Sequence, residues 1–253
     1  MAKKLTQSFF EQPTLKVAED LLGKFLVVQK KGNPRTQRAE QSPYDGNPRT
    51  QRAEQSPYDG KRNVGKIVET EAYIGEDDLA CHASKGNPRT QRAEQSPYDG
   101  RTNRSEILYR KAGTVYVYLV YGMYYCLNIV TERENFPSAV LLRAVEPVEE
   151  IDLMKKRRKT NALRNPRTQR AEQSSYDGNL TSGPGKLCMA FGIDKELNGK
   201  TVFGKDIWIE DRGEDEPSNN IVSAPRVGVD YAKHCKNLPW RFYVKDNLFV
   251  SRK

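Results

Sequence analysis

A 14-residue string, NPRTQRAEQSPYDG, stands at 33–46, 47–60 and 87–100, and returns at 165–178 with serine in place of one proline. No copy contains Val, Ile, Leu, Met or Phe, so none has an apolar face to bury against a neighbour. Four copies of 14 account for 56 of the 253 residues and leave a host sequence of 197, an ordinary length for one domain. Two Arg balance one Glu and one Asp in every copy, so the net charge of +9 belongs wholly to the host. Asn-Pro at one end and Asp-Gly at the other mark each copy as a solvated excursion. Removing them joins VVQKKG to KRNVGKIVETEAY and HASKG to RTNRSEILY, both plausible loop joins. The copies are expected to be passengers at loop tips, where insertion costs little loop-closure entropy, and their near identity points to duplication at the DNA level. A second reading, an Arg- and Tyr-bearing peptide that binds a partner, is disfavoured by its zero net charge.

No apolar run approaches the roughly 20 residues needed to span a bilayer, and MAKKLTQSFF lacks the apolar stretch of a secretory signal. A cytoplasmic protein is expected. Cys81, Cys126, Cys188 and Cys235 are scattered without a CxxC pair, which argues against a disulfide framework and a Cys-rich metal site. The only histidines are His82 and His234, too few for a three-His zinc site or an HExxH hydrolase. Chemistry without metal or cofactor is the expectation.

Pro13 and Thr14 open a helix whose apolar positions run to Leu22, and Gly23 closes it; a strand follows over 24–30. Val64 to Ile74 alternates so that Ile67, Glu69, Glu71 and Tyr73 share one face of a strand. Two aromatic-rich strands, 114–120 and 124–131, meet at Tyr121-Gly122-Met123 in a hairpin with Gly122 supplying the turn. A buried strand over 138–144 delivers Arg143. Pro147 is expected to start a helix whose last turn carries the basic run 155–159, read as a solvated helix end. Ser182 is expected to cap a helix ending near Gly192, and strands are expected around 205–210, 225–231 and 240–245. The expected fold is a single α+β domain over 1–253: a curved, mostly antiparallel β-sheet flanked by helices, with a protruding hairpin.

Two places could carry chemistry. A carboxylate on the inner face of the ETEAY strand must be paired or hydrogen-bonded, and such groups often have perturbed acidity; the bland alternative is an edge or solvent-facing Glu. Tyr116, Tyr118, Tyr121, Tyr124 and Tyr125 crowd the hairpin, whose turn exposes Tyr121 and Met123. Duplex DNA could receive such a tip, an aromatic wedge entering a base step while basic surface neutralises phosphate. A buried aromatic cluster is the competing reading.

GKIVETEAYIG, YVYLVYGMYYCLNIV, LLRAVEP, SGPGKLC and RVGVDY followed by RFYV resemble, in order and across nearly all of the host, the alkyladenine (methylpurine) DNA glycosylase family. The resemblance implies an enzyme that flips an alkylated or deaminated purine out of duplex DNA and hydrolyses its N-glycosidic bond with water. It implies Glu71 as the base that activates the water and Arg143 as the guanidinium beside it. Tyr73, His82 and Tyr118 would hold the flipped base, and Asn128 would crowd the 2-amino group of normal guanine. Tyr121, with Met123 beside it, would fill the gap left in the duplex, and Lys186 and Arg241 would contact phosphate. A backbone carbonyl near Val227 would help hold the water. No cofactor is implied, and the working unit is expected to be a monomer on damaged double-stranded DNA, associated with the nucleoid of a bacterial host. A damage-binding protein without turnover and an RNA-binding or RNA-modifying protein are the alternatives; retention of both Glu71 and Arg143 argues against the first.

Overall fold

The computed structural model describes residues 2–29, 62–84, 101–164 and 179–253. The sheet is organised by its longest strand, β3 (Arg62–Ile74), which is rich in β-branched residues and pairs along both edges. One edge takes β2 (Phe25–Gln29) against residues 62–66 and then β9 (Arg241–Val244) against Glu69 to Glu71. The other edge pairs along its length with β6 (Ser138–Glu149). Beyond β6 lie β5 (Tyr124–Val130) and β4 (Val115–Val120); beyond β2 lie β7 (Ile207–Asp211) and β1 (Lys3–Lys4), and β8 (Ile221–Ala224) borders β9. Every one of these pairings is antiparallel, as expected for an α+β fold.

One face of this sheet carries the main core. Helix α1 (Gln7–Phe10) contributes Phe10, and α2 (Thr14–Asp20) contributes Val17 and Ala18 against Val68 and Ala72. The Thr70 hydroxyl ties the two elements together by donating to the Ala18 carbonyl at 2.7 Å. After α3 (Ile151–Arg164), helix α4 (Pro184–Phe191) brings Leu187 and Phe191 into the same core, and Gly192 ends it in a left-handed conformation at φ 69°. On the opposite face Val64 packs with Phe25, Val27 and Trp208, and Glu69, Glu71 and Tyr73 follow along the strand. All four cysteines are buried, and burial pushes the Cys81 thiol up to about 12 and that of Cys126 to about 11.

The strict alternation expected along β3 breaks at Val68. Ile67 pairs with Val145 and Glu69 with Ala144, so Val68 has no opposite residue and both Ile67 and Val68 enter the main core. A matching irregularity on β6 leaves Arg143 without an opposite residue between Leu142 and Ala144. Pro147 does not start a helix: β6 runs on through it because Gly65 and Val64 on β3 supply a ladder for Pro147 and Glu149. Glu150, at φ 59°, then turns the chain into α3. The basic run 155–159 lies mid-helix, and it is not wholly solvated. Arg157 reaches Asn63 and the Ala190 carbonyl, and Arg158 reaches the Leu180 carbonyl, both inside the protein.

Ser182 caps nothing; the N-cap of α4 is Gly183 at φ 120°, and the Ser182 hydroxyl is directed at the Val250 carbonyl instead. The strand expected over 225–231 is displaced to Ile221–Ala224, because Arg226 turns inward and Gly228 takes φ 77°. The four repeat copies lie outside the described residues. Gln29 and Arg62, which flank the double copy, are cross-strand partners at the open end of the β2–β3 pair. No helix among the described residues is long and apolar enough to cross a membrane.

Gly65 sits where β3, β6 and α4 close on one another. A Cβ there would meet Val145 Cγ2 at 2.8 Å, Phe191 Cζ at 2.9 Å and the Glu146 carbonyl at 3.0 Å. Gly65→Ala is expected to destabilise the protein by about 1–3 kcal/mol, the scale of overpacking, in urea unfolding. An unchanged midpoint would show that these three layers are not tightly closed.

Candidate active site

Two glutamates two residues apart on β3 point to the same side of the sheet, and their surroundings give them different tasks. Glu69 is fully buried. Its Oε1 accepts from Arg143 Nε at 3.1 Å and from Arg241 Nη1 at 2.9 Å, and its Oε2 accepts from the Ser251 amide at 2.7 Å. Glu71 is equally buried, but its three donors all line a cavity: Val227 N–H reaches Oε1 at 2.7 Å, Arg143 Nη1 reaches the same oxygen at 3.2 Å, and the Tyr73 hydroxyl donates to Oε2 at 2.8 Å. An ionised carboxylate has about four acceptor sites, so Glu71 keeps capacity for one more donor.

Arg143 is the hinge of this arrangement. The irregularity in β6 aims its side chain at both glutamates, and its third nitrogen donates to the Ser251 hydroxyl at 3.1 Å. Burial pulls its pKa down, yet the carboxylates of Glu71 and Glu69 outweigh that pull and hold it above the ordinary value. The Tyr73 hydroxyl is pushed well up, first by burial and then by the Glu71 charge beside it, so it stays a donor.

The cavity above these groups has a volume of about 470 Å³, within the range of small-molecule sites. Tyr73, His82, Tyr118, Asn128 and Arg143 line it together, although they come from β3, the turn after it, β4, β5 and β6. The His82 ring stands edge-on to Tyr118 with centroids 4.6 Å apart, and its Nδ1 shares a hydrogen bond with the Tyr116 hydroxyl at 2.8 Å. The buried Asn128 side chain is anchored by a 3.3 Å bond from Nδ2 to the Tyr116 carbonyl. Burial raises the Tyr118 hydroxyl well above its usual range. The lining thus pairs aromatic rings with two guanidinium groups, Arg143 and Arg104.

At the mouth, the β4–β5 hairpin projects. Met123 N–H bonds the Val120 carbonyl at 3.1 Å and closes a turn whose central residues, Tyr121 and Gly122, have φ of 54° and 68°. Positive φ is costly for an aromatic residue, and Tyr121 is 76% exposed, with Leu119 and Met123 exposed beside it. A second hollow of about 350 Å³ lies between this tip and α4, and Lys186 lines it while bonding the Asn179 side chain. Arg241 is elsewhere. The residue is 6% exposed and its guanidinium is committed to Glu69 and to the Pro225 and Arg252 carbonyls, which makes it part of the scaffold and not a surface phosphate contact.

The sequence profile of the methylpurine-DNA glycosylase family matches residues 54–248. The chain belongs to the methylpurine-DNA glycosylase family. Relatives span its length: a protein of Clostridium perfringens strain SM101 is 40% identical over 252 residues, covering 99% of this chain and 100% of the relative. One from Alkaliphilus oremlandii is 39% identical over 250 residues (99% and 100%), and one from Methanocella arvoryzae strain MRE50 is 38% identical over 250 residues (98% and 96%). All three carry the provisional name 3-methyladenine DNA glycosylase.

Within this methylpurine-DNA glycosylase family member, several site residues escaped the sequence reading. Tyr116 was legible only as one hairpin aromatic among five, yet it holds His82. Arg104, from the basic stretch before β4, places its guanidinium 4.9 Å from the Tyr118 ring centre. Ser251 carries no motif and reaches the site only because the last residues fold back onto Arg143. At Val227 the contact made is from the N–H to Glu71. Glu69→Gln, which leaves Arg143 and Arg241 short of a buried counter-charge, is expected to cost about 3–5 kcal/mol in urea unfolding. A loss below about 1 kcal/mol would show that water reaches these groups and screens them.

Proposed function

We propose that this protein is a monofunctional DNA glycosylase of base-excision repair, which hydrolyses the N-glycosidic bond of alkylated or deaminated purines in duplex DNA and leaves an abasic site. The observation that carries the reading is the Glu71–Arg143 contact at 3.2 Å set against a cavity walled by Tyr73, His82 and Tyr118, with an exposed, strained tyrosine at its mouth. N-glycosidic hydrolysis passes through an oxocarbenium-like sugar. A carboxylate at Glu71 serves it twice, by accepting a proton from water and by facing the developing positive charge. Arg143 orients the carboxylate and the water. A purine that has left the stack would rest between the Tyr73 and Tyr118 rings, where an alkylated, positively charged base gains from aromatic faces. Asn128 would crowd the 2-amino group of normal guanine, which disfavours that base.

Tyr121, with Met123, would enter the duplex and occupy the space the flipped nucleotide vacates, while Lys186 and the net charge of +9 act on phosphate. The same reading takes the enzyme as a monomer, acting near the nucleoid in a bacterial cytoplasm, with no cofactor. It takes the four repeat copies as loop insertions in one catalytic domain, a view supported by the cross-strand pairing of Gln29 with Arg62 at the ends of the longest insertion.

Purified protein incubated with methylated duplex DNA is expected to release free base and leave alkali-labile sites. In Glu71→Gln, release should fall by about two decades or more while lesion binding survives, as for loss of a positioned proton acceptor. Undiminished release would remove Glu71 from the base's role. Tyr121→Ala is expected to weaken lesion-duplex binding by about 1–3 kcal/mol, the scale of one aromatic–base stack, measured by fluorescence anisotropy. Equal affinities would mean that the hairpin tip stays outside the duplex.

A further inference from the structure

Behind the cavity wall, Asp78 and Arg226 form an ion pair with neither side chain exposed to solvent. The guanidinium is forked onto the carboxylate, Nη1 to Oδ2 at 2.5 Å and Nη2 to Oδ1 at 2.8 Å. The same carboxylate accepts the Ile74 amide at 3.3 Å and the Ala80 amide at 3.0 Å. The same guanidinium donates to the Ala72 carbonyl at 2.9 Å and the Cys235 carbonyl at 3.2 Å, and lies 4.8 Å from the Tyr73 ring centre and 5.0 Å from that of Trp240. One pair thus ties the end of β3, the turn that carries His82, and the loop that carries Val227.

A buried ion pair is a poor device for stability alone, since apolar residues of similar volume often serve as well. What the pair offers is geometry. Arg226 is bonded covalently to Val227, whose N–H holds Glu71 Oε1, and it backs the ring of Tyr73, whose hydroxyl holds Oε2. Both oxygens of Glu71 are therefore oriented by groups that the pair locates. Arg143, the third partner of Glu71, approaches independently from β6.

We propose that Asp78 and Arg226 are positioning residues for the reaction: they fix the two donors that aim the Glu71 carboxylate, without touching the base or the DNA. The proposal rests on Glu71 acting as the base. Loosening the pair lets the carboxylate turn while leaving Tyr118, Asn128 and the hairpin, which it does not touch, in place, so the chemical step suffers more than binding does.

The test uses the full chain, with Asp78→Asn and Arg226→Lys, each alone and each combined with Glu71→Gln. Single-turnover release of 3-methyladenine at saturating protein is compared with equilibrium binding to the same duplex. The expected result is a rate loss of about tenfold to a hundredfold, the scale of a small misplacement at reacting groups, with affinity lowered by clearly less than the rate. In the Glu71→Gln background the same substitutions should cost nothing further, because their effect passes through Glu71. An undiminished rate, a parallel loss of rate and affinity, or a full additional loss on top of Glu71→Gln would each overturn the proposal. So would failure of both variants to fold, which would assign the pair to stability alone. Wild-type protein runs as the control: if it releases no base, the glycosylase reading fails, and that result is distinct from any outcome for the pair.

Discussion

Two carboxylates and two guanidinium groups meet inside this sheet, and their mutual compensation is the constraint on which the site depends. Glu69, Glu71, Arg143 and Arg241 are all buried, on three different strands. Buried charge is tolerable only when paired and hydrogen-bonded, so β3, β6 and β9 must hold a common register for the fold to exist at all. Glu69 absorbs most of this requirement, accepting from both arginines and from the Ser251 amide. That frees Glu71, two residues on, to present its donors to the cavity. The geometry around Glu71 is thus a by-product of an electrostatic knot that the sheet must tie in any case.

The molecule separates rigid and exposed parts by face. One side of β3 is packed with aliphatic core, and the other carries the acidic and aromatic groups under a cavity. The apolar tip of the hairpin is the exception, left in solvent with positive backbone φ at Tyr121. Exposed apolar groups and local strain are both unfavourable in isolation, and their coincidence beside the cavity is understandable when a partner receives them. Paired charge beneath the cavity and an exposed apolar tip at its mouth are complementary: the first needs the interior and the second needs solvent.

Much of this was legible along the chain, for reasons that can be named. The ETEAY strand announced itself by putting carboxylates at alternate positions of an otherwise apolar run, and the hairpin by aromatic residues on both sides of Tyr-Gly-Met. Local chemistry misled where a long-range partner intervened. Pro147 has the right residue type to start a helix, but the β3 ladder keeps it in a strand. The basic run 155–159 has the composition of a solvated surface, but Arg157 and Arg158 find carbonyls inside. The family resemblance carried Arg241 over as a phosphate contact, but its guanidinium is paired with Glu69 instead.

The residue order alone determined the strands and helices that local periodicity and turn chemistry specify, the paired acidic positions on β3, the aromatic hairpin and the family. Only the folded chain decided which donors reach Glu69 and Glu71, that Arg241 turns inward onto Glu69, and that Ser251 and the Asp78–Arg226 pair pack behind these groups. The reason is distance: alternation, capping and turn preference act over a few residues, whereas a buried charge is satisfied by whatever the register of remote strands brings within about 3 Å.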